Sequence, residues 1–421
     1  MSERRAATGV WAGRQPEWLV ALAMLLAVLY VVTVPRAAAK LGDFPHLWVG
    51  ARMVALGMSS NLYAPEAHKR ALQEAGMPFE GNWSPRNDRY GAFFYPPWTA
   101  LLYAPLGALP LATAATLQAV VNVGLALGLA VAIWLFLQRE LSIWVIVLLL
   151  LLHPAVFFSF ALGQNGILTA LLVVAGWNCA RSGHAFRSGL VLSLLFYKPT
   201  WLIPVAWFSV VPGHRRTLAG LAVGIVCIAA VSVATLGTHP HETYARMLPG
   251  LAALPTLPGY PLLHQYSLMA LVRRLALPGA LSAFVFLVAL LGVVSATTAL
   301  RLRHRRGVDI VWLAAVSWLA ALLANVHVHH YDLVLLPCAL ILPFARWRHL
   351  SGPGSLLWLG LIGLTYVGLW VGEMADGVTS GALSIVGAVL AWLWLVWQFL
   401  LRPDELATSG RPRPCRENVA I

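Results

Sequence analysis

Three histidines, a tyrosine and a carboxylate crowd one short stretch, Asn325-Val-His-Val-His-His-Tyr-Asp332, between two long apolar runs. Polar groups this costly at a membrane edge are as a rule functional. Imidazoles can donate to phosphate oxygens or exchange a proton near neutral pH, so the set suits an anionic ligand or proton handling. His327, His329 and His330 point in different directions whether the stretch is helical or extended, and one ligand cannot engage all three. Each of His327, His329 and His330 is a candidate for chemistry or for ligand contacts, with Tyr331 and Asp332 placed to orient a neighbouring imidazole. A zinc site is the rival, since His327 and His330 at i, i+3 could share a metal with Asp332. No HExxH-like arrangement accompanies them, and no metal is expected.

A proton acceptor must come from few acids, because the chain has only 16 Asp and Glu. Asp43 is the best placed, shortly after the first apolar run and just ahead of an amphipathic stretch, where a hydroxyl could approach a general base. Its structural alternative is to N-cap the following helix, a role worth about 1 kcal/mol. Lys198, before Pro199 in an apolar segment, either snorkels to an interface or reaches a phosphate. Gln164 and Asn165, between two apolar runs, bind hydroxyls or satisfy broken backbone. Tyr95, Arg52, His264 and Gln265 complete the candidates for binding, Arg52 being equally a headgroup anchor.

The elements that must position these groups are membrane helices. Of 421 residues 59% are hydrophobic and 11% charged, with mean hydropathy +0.75, which excludes a soluble domain of this size. A net charge of +13 could suggest nucleic acid, but about half the Lys and Arg sit in short clusters between apolar segments, the pattern of cytoplasmic loops. No nucleic-acid partner is expected; the partner is the lipid bilayer. Cys179, Cys227, Cys338 and Cys415 have no metal or CxxC spacing.

At about 20 apolar residues per span, the chain divides into roughly twelve transmembrane or re-entrant segments, near 17–34, 96–109, 112–137, 141–160, 165–181, 188–210, 215–236, 279–300, 308–324, 330–345, 354–372 and 380–401. This is an all-α fold, a single integral membrane domain over 1–401 followed by a flexible cytoplasmic tail, 402–421. The first segment is an anchor and not a cleaved signal. Basic clusters at the N-terminus, 214–216, 301–306, 345–349 and the tail place 35–95 and 238–278 outside, together with 325–332. If every segment crosses once, Arg139 and Arg181 to Arg187 then face outside, against the rule. A re-entrant segment between 96 and 210 would remove the conflict, and Lys198-Pro199 is the natural break.

The first outer loop carries its own helices. Apolar spacing from Asp43 to a stop at Gly57 predicts an amphipathic helix lying on the membrane surface, a second covers 65–76, and Pro96-Pro97 suit the first turn of the next transmembrane helix. The loop from 238 to 266, rich in His, Tyr and Pro, reads as an ordered flap.

In order along the chain stand Asp43-Phe44, Ala51-Arg52, Leu62-Tyr63, Phe93-Phe-Tyr-Pro-Pro97, Leu162-Gly-Gln-Asn-Gly166, Lys198-Pro199, Gln265-Tyr-Ser-Leu268 and His329-His-Tyr-Asp332. This series resembles glycosyltransferase family 87, polyprenol-phosphate-mannose-dependent mannosyltransferases of the GT-C type. Where family sequences often carry Asn-Gln-Ser-Leu, this chain has Gln265-Tyr266-Ser267-Leu268, which shifts the amide by a position beside His264.

The resemblance implies a GT-C bundle in the plasma or inner membrane, its active site on the extracytoplasmic face. It implies transfer of a hexose, mannose in the family, from a polyprenyl-phosphate donor to a hydroxyl of a glycolipid or glycan acceptor, with inversion and no cofactor. Asp43 and His330 are then the catalytic candidates, with His327, His329, Lys198, Arg52, Gln164, Asn165, Tyr95, His264 and Gln265 around the donor phosphate or sugar. A transporter or flippase is the other class with this many helices, although no two-half repeat is evident.

Overall fold

The computed structural model describes residues 17–41, 43–76, 93–209, 215–253, 265–304, 309–345, 353–374 and 380–401. Within them the chain is helical, with a single isolated β-bridge between Gln265 and His329. The helices are α1 (Glu17–Leu41), α2 (Phe44–Ala55), α3 (Pro65–Glu74), α4 (Pro97–Gly107), α5 (Leu111–Phe136), α6 (Ile143–Leu151), α7 (Pro154–Ala161), α8 (Gly166–Arg181) and α9 (Ala185–Ser193). They continue as α10 (Pro199–Ser209), α11 (Arg215–Leu236), α12 (His239–Ala253), α13 (Leu268–Arg274), α14 (Gly279–His304), α15 (Ile310–Ala324), α16 (Leu335–Ala345), α17 (Pro353–Met374) and α18 (Ser380–Leu401). Among the described residues α5, α11 and α14 are each long and apolar enough to cross a membrane, and α6 with α7 passes as one span bent by 64°. The bend falls at His153-Pro154, where proline cannot continue the backbone ladder.

Two corrections to the sequence reading bear on the site. The 96–109 segment is α4, eleven residues and so about 16 Å long at 1.5 Å per residue, half of a bilayer core. Both its ends stay near Asp43's end of the bundle: Thr99 donates to the Tyr197 carbonyl at 2.9 Å, and the Gly107 carbonyl accepts from Arg52 at 3.1 Å. The 188–210 segment is not one span either. A 3-10 turn, Leu194–Tyr197, ends at Lys198, held extended at φ −136° by the proline that follows, and α10 then runs back. Its last residue, Ser209, accepts from Trp177 Nε1 at 2.9 Å near the end of α8, so α9 and α10 form a hairpin with Lys198 at its tip.

Together these changes remove the charge conflict. Arg181 donates to the Phe136 carbonyl at the far end of α5, and Arg301 donates to the Ser209 carbonyl at 3.4 Å. Arg139, Arg181 and Arg301 therefore share the end of the bundle opposite Asp43.

The first loop also differs in what its helix covers. The helix from Asp43 forms as α2 and stops at Gly57, φ +71°, and α3 matches the second. The apolar side of α2, however, is buried on protein: Phe44, Leu47, Trp48 and Met53 join Phe93, Tyr103 and Leu111 in a separate apolar cluster. Close approach explains this choice over lipid. A Cβ on Gly107 would lie 2.2 Å from the Ala51 carbonyl carbon, and one on Gly50 2.3 Å from the Phe93 ring, so glycine lets backbone and ring meet at a distance lipid cannot match.

Candidate active site

The site lies where the α2–α4 cluster meets the main core. Asp43 follows α1, is half-buried, and makes no side-chain cap to α2, so the capping role is not taken up. Instead its carboxylate accepts from Gln164 Nε2 at 3.0 Å. Gln164 sits in the turn joining α7 to α8, and Gly163, at φ +64°, brings that turn against Phe44, whose N–H donates to the Leu162 carbonyl at 3.0 Å. Tyr95 OH donates to Gln164 Oε1 at 3.0 Å. The amide thus receives from one side and gives to the other, which fixes its orientation.

Opposite stands an ion pair. Lys198 Nζ lies 2.5 Å from Asp332 Oδ1, with the two side chains 8% and 0% exposed, and 5.1 Å from the centre of the Tyr331 ring. The other oxygen of Asp332 accepts from the His329 N–H at 3.1 Å. Gln265 binds the same stretch twice, accepting from the Val328 N–H at 3.1 Å and donating to the His329 ring at 2.8 Å. His327 packs edge-on to His329, with centroids 4.7 Å apart, and His329 stacks on Tyr331 at 5.3 Å. His327, His329, Tyr331 and Lys198 thereby form one file of rings ending in a cation.

The two halves share one electrostatic field. Burial first, then Asp43 and Asp332, push the Tyr95 phenol well above its ordinary value, which puts its oxygen in range of both carboxylates. His327 is lowered to about 4, by burial and then by Lys198, with Asp332 working against both. At neutral pH it is an uncharged ring.

Not every sequence candidate comes together here. His330 lies on the α7 side of Tyr331, its ring edge-on to Phe158 of α7 at 4.6 Å, to Tyr331 at 5.4 Å and to Tyr266 at 6.3 Å. Arg52 lies over Trp48 and bonds Gly107, so it docks α2 on α4 and stands outside the Asp43–Lys198 group. Asn165 is buried under Gln164; its carbonyl accepts from Tyr197 OH at 3.1 Å. His264 lies outside the described residues. No three His, Cys, Asp or Glu side chains among those residues are grouped to hold a metal ion.

Sequence reasoning passed over the amides beneath the site. Asn122 Nδ2 donates to the Gln164 and Ser159 carbonyls at 3.4 Å each, and Gln118 donates to Asn122 at 3.2 Å. The signal was present: two amides one turn apart in α5, a helix whose only other polar side chains ahead of them are Thr113 and Thr116.

A family model described as glycosyltransferase family 87 matches residues 93–326, more than half of the chain. The chain belongs to glycosyltransferase family 87. It is therefore a membrane glycosyltransferase, with a sugar donor and an acceptor as substrates. The matched stretch carries Tyr95, Gln164, Lys198 and Gln265, while Asp43 precedes it and Asp332 follows it. No curated protein matches the chain.

Two measurements test this glycosyltransferase's site as described. Lys198→Met strands a buried carboxylate and should cost about 3–5 kcal/mol of stability, and Asp332→Asn strands the ammonium; the double variant should recover part of the loss. Strictly additive losses in thermal unfolding would deny the pairing. The second measurement concerns pH. Because folding lowers His327 from 6.5 to about 4, the unfolded chain takes up that proton first, and stability falls as pH drops through this window. His327→Gln should flatten that part of the profile, and an unchanged slope would contradict the burial.

Proposed function

We propose that the protein transfers a hexose, mannose by family resemblance, from a polyprenyl-phosphate-linked donor to a hydroxyl of a glycolipid or glycan, with inversion, on the extracytoplasmic face of the cell membrane. The observation that carries this reading is the facing pair of opposed groups. A half-buried carboxylate, Asp43, is oriented by Gln164, and a cation flanked by imidazole rings, Lys198 with the uncharged His327 and with His329, makes up the other half.

The chemistry needs both halves. Asp43 takes the proton of the acceptor hydroxyl as its oxygen bonds to the anomeric carbon. The bond from that carbon to the donor phosphate oxygen breaks on the opposite side of the sugar, and its electrons stay on the departing polyprenyl phosphate. That group gains negative charge and needs donors, not an acid; Lys198 and the N–H of His327 or His329 supply them. Asp332 keeps Lys198 at the tip, and Gln265 keeps the histidines in register. His330, against Phe158, meets the donor where phosphate passes to its apolar chain, and Gln164 and Tyr95 meet sugar hydroxyls. The shared location of Arg139, Arg181 and Arg301 at the other end supports this face, since the positive-inside rule assigns that end to the cytoplasm.

Membership of the family favours this reading over a transporter. The test supplies purified wild type and Asp43→Asn with polyprenyl phosphate mannose and a crude lipid extract, and follows label into glycosylated product. Asp43→Asn should lose at least about 100-fold in transfer, the scale of a missing general base. Undiminished transfer would remove Asp43 from the mechanism, and no transfer by wild type with mannose, glucose, galactose or arabinose donors would remove the donor class.

A further inference from the structure

Arg301 is the most unusual charge outside the site. It lies in the last turn of α14, 7% exposed, at the end of the bundle opposite Asp43. Its guanidinium rests 5.2 Å from the Trp177 ring of α8, and one nitrogen, Nη2, reaches the Ser209 carbonyl of α10 at a long 3.4 Å. Nε and Nη1 are buried and have no hydrogen-bond partner among the described residues. The ion pairs found there are Lys198 with Asp332 and Arg246 with Glu242, neither of which involves Arg301.

A guanidinium carries five N–H donors in a planar fork and keeps its charge at any physiological pH. Burying that charge against one weak carbonyl contact is strongly unfavourable unless a counter-charge sits on the free edge. Nη2 carries two N–H groups and spends only one on Ser209, so with Nε on one side of it or Nη1 on the other it leaves a two-pronged edge for two oxygens of a phosphate. The indole of Trp177 covers one face of the fork, and its N–H is already committed to Ser209 Oγ at 2.9 Å, so neither competes for an anion on that edge. Other basic groups gather at this end, Arg181 on Phe136 and Arg215 and Arg216 opening α11, alongside the acids Glu140 and Asp309, the latter capping α15 through the Val311 N–H.

We propose that Arg301, with Trp177 and the C-terminal turn of α10, forms a binding site for a phosphate group, separate from the sugar-transfer site. At this depth the phosphate is carried either by an anionic phospholipid headgroup or by a free ion. The bound phosphate ties α8, α10 and α14 together at the base of the hairpin whose tip is Lys198.

The experiment compares purified wild type with Arg301→Met and Arg301→Lys in a maltoside detergent, which carries no phosphate. Thermal unfolding is followed in detergent alone, with added phosphatidylglycerol, and with added inorganic phosphate, and retained lipid is counted by native mass spectrometry. In detergent alone Arg301→Met should match or exceed wild type, because an apolar side chain of similar length replaces an uncompensated charge. Phosphatidylglycerol should then raise the wild-type midpoint by about 3 °C or more, leave Arg301→Met unmoved, and be retained by wild type and more weakly by Arg301→Lys. The same rise with inorganic phosphate alone would support the site with a free ion as its ligand. Equal responses of wild type and Arg301→Met to both additions would overturn it, as would Arg301→Met being the less stable protein in detergent alone. Sugar transfer is not a readout here, so failure of the transfer mechanism and failure of this site are distinguishable.

Discussion

A buried ammonium and a buried carboxylate cannot be left alone in apolar surroundings, and the pairing of Lys198 with Asp332 is the constraint on which the rest of the site depends. Lys198 is delivered by a hairpin of two helices and Asp332 by the 3-10 turn His330–Val334, more than a hundred residues later. Once they meet, the second oxygen of Asp332 fixes the His329 backbone, and the bridge to Gln265 fixes the strand-like stretch before it. The pair contributes little to net stability if its own desolvation is counted. What it sets is position: of the histidines, His327 and His329 line up behind Tyr331 toward the cation, while His330 is turned toward α7.

Small residues bring Asp43 toward this pair. A Cβ on Gly166 would fall 1.9 Å from the Tyr331 carbonyl oxygen, so α8 can start directly against the turn that holds Asp332. Ser159 Oγ donates to the same carbonyl at 3.2 Å. Gly163 lets the preceding turn seat Phe44, which stations Asp43 over Gln164. The site is thus the seam between two separately packed apolar clusters, and a seam is where a polar substrate can be admitted without opening either core.

Much of this was legible in the residues. Hydropathy gave the helical segments from 112 onward to within a few residues, because a lipid-facing helix has to be apolar almost everywhere, except that 188–210 folds as two helices, broken at the Lys198-Pro199 step that proline chemistry alone made visible. Two things were not. Segment 96–109 is as apolar as a span, and only its packing on α2 shows that protein and not lipid covers it. Arg52 looked like a phosphate ligand by type, yet the Gly107 carbonyl, which no local pattern reveals, claims it. That the three histidines point in different directions was foreseen; that His327 and His329, rather than His330, lead toward Lys198 was not. Which of them face Lys198 depended on Gln265, sixty residues away in sequence.

In the proposed mechanism Asp43 and the Lys198–Asp332 pair flank one substrate position. The direct measurement is an experimental structure with a non-cleavable polyprenyl phosphonate analogue of the sugar donor bound. Its phosphorus oxygens should lie within hydrogen-bond reach of Lys198 Nζ and of the His327 or His329 ring, with the anomeric carbon between them and Asp43. A phosphonate seated away from Lys198, or a sugar whose anomeric carbon faces away from Asp43, would contradict that mechanism.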